Sequence, residues 1–141
     1  TDGSSFGDAS VQEAIRYQWP PDSEFRVLTV MEHFPISYLT MDIYYPPVPA
    51  KVIEEARQVA EKIAANAATL LQEHGLKVTH IVRQGQIAEE IIDEANQWGA
   101  DLILIGTHSR HGLSKFLLGS IAQRVASHAS CSVEIVRQAS Y

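Results

Sequence analysis

Residues 101–120 read DLILIGTHSRHGLSKFLLGS, and their first five positions form an almost unbroken apolar run. A strand of that kind is buried on both faces, as in a parallel sheet covered by helices. Gly106 follows, then a polar stretch, then a helix predicted over about residues 115–127. In open α/β sheets the ligand crevice lies at the carboxyl ends of strands, beside the point where strand order reverses. A loop there aims free backbone N–H groups, and the positive end of a helix dipole, at whatever occupies the crevice. Gly106 permits close backbone approach, while Gly119 and Ser120 offer an N–H and a hydroxyl. A phosphate chain needs several neutral donors and little side-chain bulk. Glycines after a strand also serve as plain turn residues, and neither the Walker pattern nor the Rossmann glycine triplet is present.

The flanking periodicities place the other elements. Residues 9–18 form a short helix with Val11, Ala14, Ile15 and Trp19 near one face, stopped by Pro20 and Pro21. FRVLTVM at 25–31 reads as a strand. Residues 33–49, with four prolines and several aromatics, are irregular. A long helix over 50–74 carries Val52, Ala56, Val59, Ile63, Ala67 and Leu70 as an apolar stripe, and Gly75 caps it. A strand follows at 76–82. A helix at 87–98 buries Ile87, Ile91, Ile92, Ala95 and Trp98, with Glu89, Glu90, Asp93, Glu94 and Gln97 on its other face. Gly99 ends it, and SVEIVR at 132–137 is the last strand. Alternating helices and strands of this length give a doubly wound parallel sheet with helices on both faces, in a single domain over residues 1–141. The first helix has no strand before it, although such folds carry their opening strand at the centre. The chain starts at Thr1 rather than Met, and residues upstream of it are expected to supply a short apolar central strand.

The composition narrows the function. Of 141 residues, 45% are hydrophobic and 20% charged, with a formal net charge of −6 and no clustering of Lys or Arg. Nucleic acid as main partner is disfavoured, because phosphate backbones demand a basic face. An anionic ligand must instead be held by local backbone dipoles. Cys131 is the only cysteine, so nothing points to a disulfide-forming compartment. No apolar run has the length to span a bilayer and no signal-peptide pattern opens the chain; a cytoplasmic location is expected.

The run GQIAEEIIDEANQWGADLILIGTHS at 85–109, the closing CSVEIVR and the opening Thr1-Asp2-Gly3-Ser4 together resemble the universal stress protein family. That family's ATP-binding motif is Gly, two residues, Gly, nine residues, Gly, then Ser or Thr. Here it reads Gly106, Thr107-His108, Ser109, nine residues, Gly119, Ser120. Asp2-Gly3-Ser4 resembles the family's Asp-Gly-Ser signature just after its first strand. The resemblance implies a five-stranded sheet of order 3-2-1-4-5, with the first strand missing from this chain. It implies that Asp2 contacts the ribose or an associated cation, magnesium or manganese. It implies that Val30 touches adenine through its backbone, and that Gly106, His108, Ser109, Gly119 and Ser120 hold the phosphates of ATP or another adenine nucleotide. With the apolar alternation at 132–137, it implies a homodimer paired through the last strands. Ser109 departs from the motif's second glycine. If that position needs a positive φ or close approach, serine costs roughly 1 kcal/mol, offset where its hydroxyl donates to a phosphate.

Plainer readings stand beside these. Asp2 can simply cap the first helix or turn. Arg110 and Lys115 can meet phosphate or stay solvated. The spacing of His108 and His111 invites a metal reading, but no carboxylate lies nearby in sequence and Cys131 is distant. Cys131 reads as inert packing. Tyr38, Tyr44 and Tyr45 suit a lid over the ligand, or equally a loop pinned on the surface or against a partner. No catalytic set is recognisable, so the chain reads as a nucleotide-binding stress or signalling module. The alternatives are a slow magnesium- or manganese-dependent ATPase, and a dimeric scaffold or sensor of AMP or another adenylate that no longer binds ATP.

Overall fold

The computed structural model describes residues 1–32, 48–107 and 118–137. In chain order the elements are α1 (Ser5–Arg16), β1 (Glu24–Met31), α2 (Ala50–Glu73), β2 (Lys77–Gln84), α3 (Ile87–Trp98), β3 (Leu102–Gly106), α4 (Ser120–His128) and β4 (Ser132–Val136). This is the expected α/β alternation, with all strand pairing parallel. Tyr38, Tyr44, Tyr45, His108, Ser109, Arg110, His111 and Lys115 lie outside the described residues.

The strands form two parallel pairs, β1 with β2 and β3 with β4, and among the described residues no ladder joins the pairs. Glu24 to Met31 run in register with Lys77 to Gln84, and Leu102 to Gly106 with Ser132 to Val136. A cleft of about 1040 Å³ lies between β1 and β3, lined by Phe25, Val27, Leu28, Ile103 and Ile105 among others. It occupies the position where the sequence reading expects a central strand, and no described residue fills it. At one point the chain does reach β1 along this edge. The Thr1 amino group donates to the Leu28 carbonyl at 2.8 Å, and the Thr29 hydroxyl donates to the Thr1 carbonyl at 3.0 Å. β3 is therefore half-buried over Leu102–Ile105 rather than buried throughout, because the edge not paired with β4 faces the cleft.

Two cores result. One joins Val11 and Ala14 of α1, Val27 of β1, Ala64, Ala68 and Leu71 of α2 and Val78 of β2, with Leu104 of β3 at its margin. The other joins Ala88 and Ile92 of α3 to Val125 of α4, with Ile103, Ile105 and Val133 packed against it. Local signals explain most element ends. Ser4 caps α1 by accepting from the Gly7 N–H at 3.2 Å, which starts the helix four residues before the position read from sequence. Gly75 and Gly99, at φ of 82° and 73°, end α2 and α3 in the left-handed conformation that glycine adopts without penalty. α4 begins at Ser120, later than the expected 115, with Leu118 and Gly119 outside the helix.

Two helix faces differ from the sequence reading. The buried stripe of α2 is Ala60, Ala64, Ala68 and Leu71, whereas Val52 and Val59 are 42% and 55% exposed. Alanines four residues apart let the helix lie close to β1 and β2, so closeness of approach outweighs the larger apolar area of the valines. On α3, Glu94 is only 5% exposed, whereas the helical period puts it on the outer face; it is held there by arginines of β1 and β2.

α1 crosses β3 where a Cβ on Gly106 would lie 2.7 Å from the Phe6 carbonyl carbon. Gly106→Ala should therefore lower stability by about 1–3 kcal/mol through overpacking. Gly75→Ala, with open space around the Cβ, should lose only about 1 kcal/mol from its left-handed backbone. Urea denaturation of the two variants checks the order; equal losses would mean that α1 does not rest on Gly106.

Candidate functional site

At the carboxyl end of the cleft, four backbone features converge: the Thr1–Ser4 turn, the end of β1 at Val30, the end of β3 at Gly106–Thr107, and the start of α4 at Gly119–Ser120. Asp2, Val30, Gly106, Gly119 and Ser120 all line the cleft, with Thr107 and Gly7 beside them. Five of the seven residues singled out in the sequence are thus brought together. His108 and Ser109 lie outside the described residues.

The Asp2 carboxylate closes the turn that precedes α1. Its Oδ1 accepts from the Ser4 N–H at 2.9 Å and from the Ser4 hydroxyl at 2.6 Å. Ser4 in turn caps α1, so Asp2 is tied to the helix through the cap. Gly7, in the first turn of α1, makes room for this arrangement: a Cβ there would lie 2.9 Å from Asp2 Oδ1. Sequence reasoning missed Gly7; its signal is a glycine one turn after Asp-Gly-Ser, where a helix former would be the cheaper choice.

Gly106 spends its close approach on α1, against the Phe6 backbone. Beyond it, Thr107 is buried and fixes both ends of the next loop. Its N–H donates to the Val136 carbonyl at 3.1 Å and its carbonyl accepts from the Gly119 N–H at 2.8 Å. The Gly119 N–H is therefore committed within the fold. Gly119 is the N-cap of α4, at φ −61° and ψ 146°, and makes no side-chain cap bond. Its carbonyl accepts from Gln123, so the N–H groups of Ser120, Ile121 and Ala122 are the first-turn donors left without an intrahelical partner. These three, with the Ser120 hydroxyl, form the donor array of the crevice.

A smaller cavity of about 290 Å³ adjoins this array and shares Ser120, Ile121 and Ile87 with the cleft. Gln86 caps α3 there without a side-chain bond. The Arg124–Glu89 ion pair links α4 to α3 at its wall, and Glu32 and Gln86 complete it. The two helix starts point positive ends toward the same region. No group of three or more His, Cys, Asp or Glu that could hold a metal occurs among the described residues, and none of the described helices is long and apolar enough to cross a membrane.

Ser4→Ala removes both the α1 cap and one hold on Asp2. It should destabilise the chain by about 1 kcal/mol and raise amide exchange in the first turn of α1 before the rest of the helix; unchanged exchange at Gly7 and Asp8 would discount the cap.

The profile of the universal stress protein family matches residues 1–137. Universal stress protein MJ0531 of Methanocaldococcus jannaschii is 30% identical over 138 residues, covering 98% of this chain and 79% of that one. Among solved structures, hypothetical protein MJ0577 of the same organism superposes with a TM-score of 0.77 at 23% identity, over all of this chain and 94% of that chain. A universal stress protein in complex with cAMP superposes with a TM-score of 0.56 at 20% identity, over 99% and 93%.

Proposed function

The chain belongs to the universal stress protein family, and from that premise we propose that it is a cytoplasmic stress or signalling module that binds an adenine nucleotide at the carboxyl end of the β1–β3 cleft. The observation that carries this reading is the convergence of the α4 first-turn backbone donors, which have no intrahelical partner, with the Asp2 turn across the cleft mouth. A protein with a net charge of −6 has no bulk field for a polyphosphate, so binding falls to neutral N–H groups and the helix dipole. In the proposed pose the phosphates lie against the Ser120–Ala122 amides and the Ser120 hydroxyl. Gly106 and Gly119 leave the approach open, and His108 and Ser109 are the further phosphate contacts that the motif implies. Adenine lies against the Val30 backbone. Asp2 faces the ribose or a magnesium or manganese ion. Mg²⁺ is commonly held by one or two carboxylates plus phosphate oxygens, and the Asp2 carboxylate is the group of this site that would contribute to such a set. A bound cation would supply charge neutralisation of the phosphates.

A structural neighbour in complex with cAMP supports an adenylate as the ligand class and keeps a monophosphate among the candidates. Calorimetric titration with ATP, ADP, AMP and cAMP tests the reading: at least one should bind with micromolar affinity, and silence for all four would favour the scaffold reading. Gly119→Val should abolish that binding while the fold survives. The Gly119 backbone at φ −61° is accessible to valine, but a β-branched side chain would fill the phosphate space. Normal binding by this variant would dismiss the proposed pose. Turnover of ATP above a metal-free control, lost in Asp2→Ala, would move the reading to a slow ATPase.

The proposed assembly is a homodimer through β4. This strand pairs with β3 on one side, and Val133 and Ile135 are only partly buried. A free edge with such alternation is a pairing surface. Light scattering at high micromolar concentration should give twice the monomer mass of 15.6 kDa; a monomer would remove this part of the reading.

A further inference from the structure

Strand β4 carries a single charge, Glu134, and it lies in the middle of the strand. Ser132, Glu134 and Val136 point to one face of the sheet and Val133 and Ile135 to the other, where Val133 packs against the α3–α4 core. Glu134 is half-buried, and its carboxylate is met by α1. The hydroxyl of Tyr17, the C-cap of that helix, donates to Glu134 Oε1 at 2.7 Å. The tyrosine ring is set without help from β4. It stands edge-on to Trp19 at 5.5 Å between ring centres, and Trp19 stands edge-on to Phe25 of β1 at 5.2 Å. The Trp19 Nε1–H donates to the Ala14 carbonyl at 2.6 Å, which ties the aromatic pair back to α1. The bond to Glu134, ahead of burial and of Glu13, pushes the Tyr17 pKa up to about 12, so the hydroxyl stays protonated and donating at neutral pH. Glu13 is itself taken up by Arg16 at 3.0 Å.

We propose that Tyr17 makes the β4 edge competent to pair with a second copy of this chain, by holding back the Glu134 carboxylate. The inference rests on the β4 homodimer proposed above and adds the residue that controls it. Full overlap of Ser132–Val136 in a two-fold antiparallel pair sets Val133 against Ile135 of the second copy, and Glu134 against its own counterpart. Residues opposed in this way have Cβ atoms roughly 4.5–5.5 Å apart, and like charges there disfavour pairing. A charge on an edge strand is one of the ways in which sheets are kept from joining. A hydroxyl donor on each carboxylate shares its charge and turns it toward the α1 of its own copy. The apolar pairs then decide the association. The edge is open to a copy whose α1 is folded as far as Tyr17, and closed to one in which Glu134 is bare.

Sedimentation equilibrium over a dilution series gives the dimer dissociation constant of the parent, Tyr17→Phe, Glu134→Gln and the double variant. Phenylalanine keeps the ring against Trp19, and circular dichroism checks that each variant is folded. Tyr17→Phe should weaken the dimer by about three- to tenfold, the scale of one or two unfavourable cross-strand pairs. High salt should recover much of that loss, because it screens the opposed carboxylates. Glu134→Gln should dimerise at least as tightly as the parent, and adding Tyr17→Phe to it should change nothing. A Tyr17→Phe dimer as tight as the parent's overturns the proposal. So does a loss that persists in the Glu134→Gln background, which would mark a tyrosine with a structural role only. Both of these outcomes leave the β4 dimer standing, whereas a parent that stays monomeric removes the dimer and the role of Tyr17 together.

Discussion

The structure depends on the seat of α1, which packs on β1 and α2 with one face and on the end of β3 with its first turn. Two bridges between the strand pairs stand out among the described residues. α1 rests its Phe6 carbonyl on Gly106 of β3 while Val11 and Ala14 pack with α2 and β1. α3 fastens to Arg26 and Arg83 on one side and to α4 on the other.

The crevice inherits its geometry from the same bridges. Its Asp2 turn belongs to α1, its Val30 edge to the β1–β2 pair, and its donor array to α4, which travels with β3–β4. Thr107 ties the last two strands and the start of α4 together, through Val136 on one side and Gly119 on the other. The positions of the donors relative to Asp2 are therefore set by α1 lying on Gly106. A glycine that sequence alone assigns to the ligand is also the seat of the helix that carries Asp2. Both uses need the same absent side chain.

Much of this was legible in the sequence, and the order of elements was the clearest part. The 87–98 helix and its Gly99 stop were read to the residue, because an amphipathic period and a left-handed glycine are both local. The convergence of Asp2, Val30, Gly106, Gly119 and Ser120 followed from topology, since carboxyl ends of parallel strands share one edge. The burial of α2 did not follow: summed hydrophobicity favours Val52 and Val59, whereas close packing on the strands favours the alanines. Glu94 could not be read at all from its own neighbourhood. Its partner on β1 is 68 residues away in the chain, and a glutamate at helical spacing from other acids looks solvated until an arginine is folded over it.

The charged face of α3 also answers a specificity question that apolar packing leaves open. A buried ion cluster is seldom the most stabilising choice, since apolar residues of similar volume often serve as well or better. An α3 that was apolar all round would bury either face equally well against either strand pair, and the Ile87–Ile91–Ala95 side could rotate onto β1 and β2. With Glu94 on one face, that rotation would carry a carboxylate into the Val125 core, a cost of several kcal/mol, and leave Arg26 and Arg83 without their shared partner. The correct orientation satisfies both arginines with one carboxylate and places Trp98 under the Arg26 guanidinium. The cluster thus selects which face of α3 meets which strand pair, and by doing so it fixes the cleft wall that the apolar residues then line.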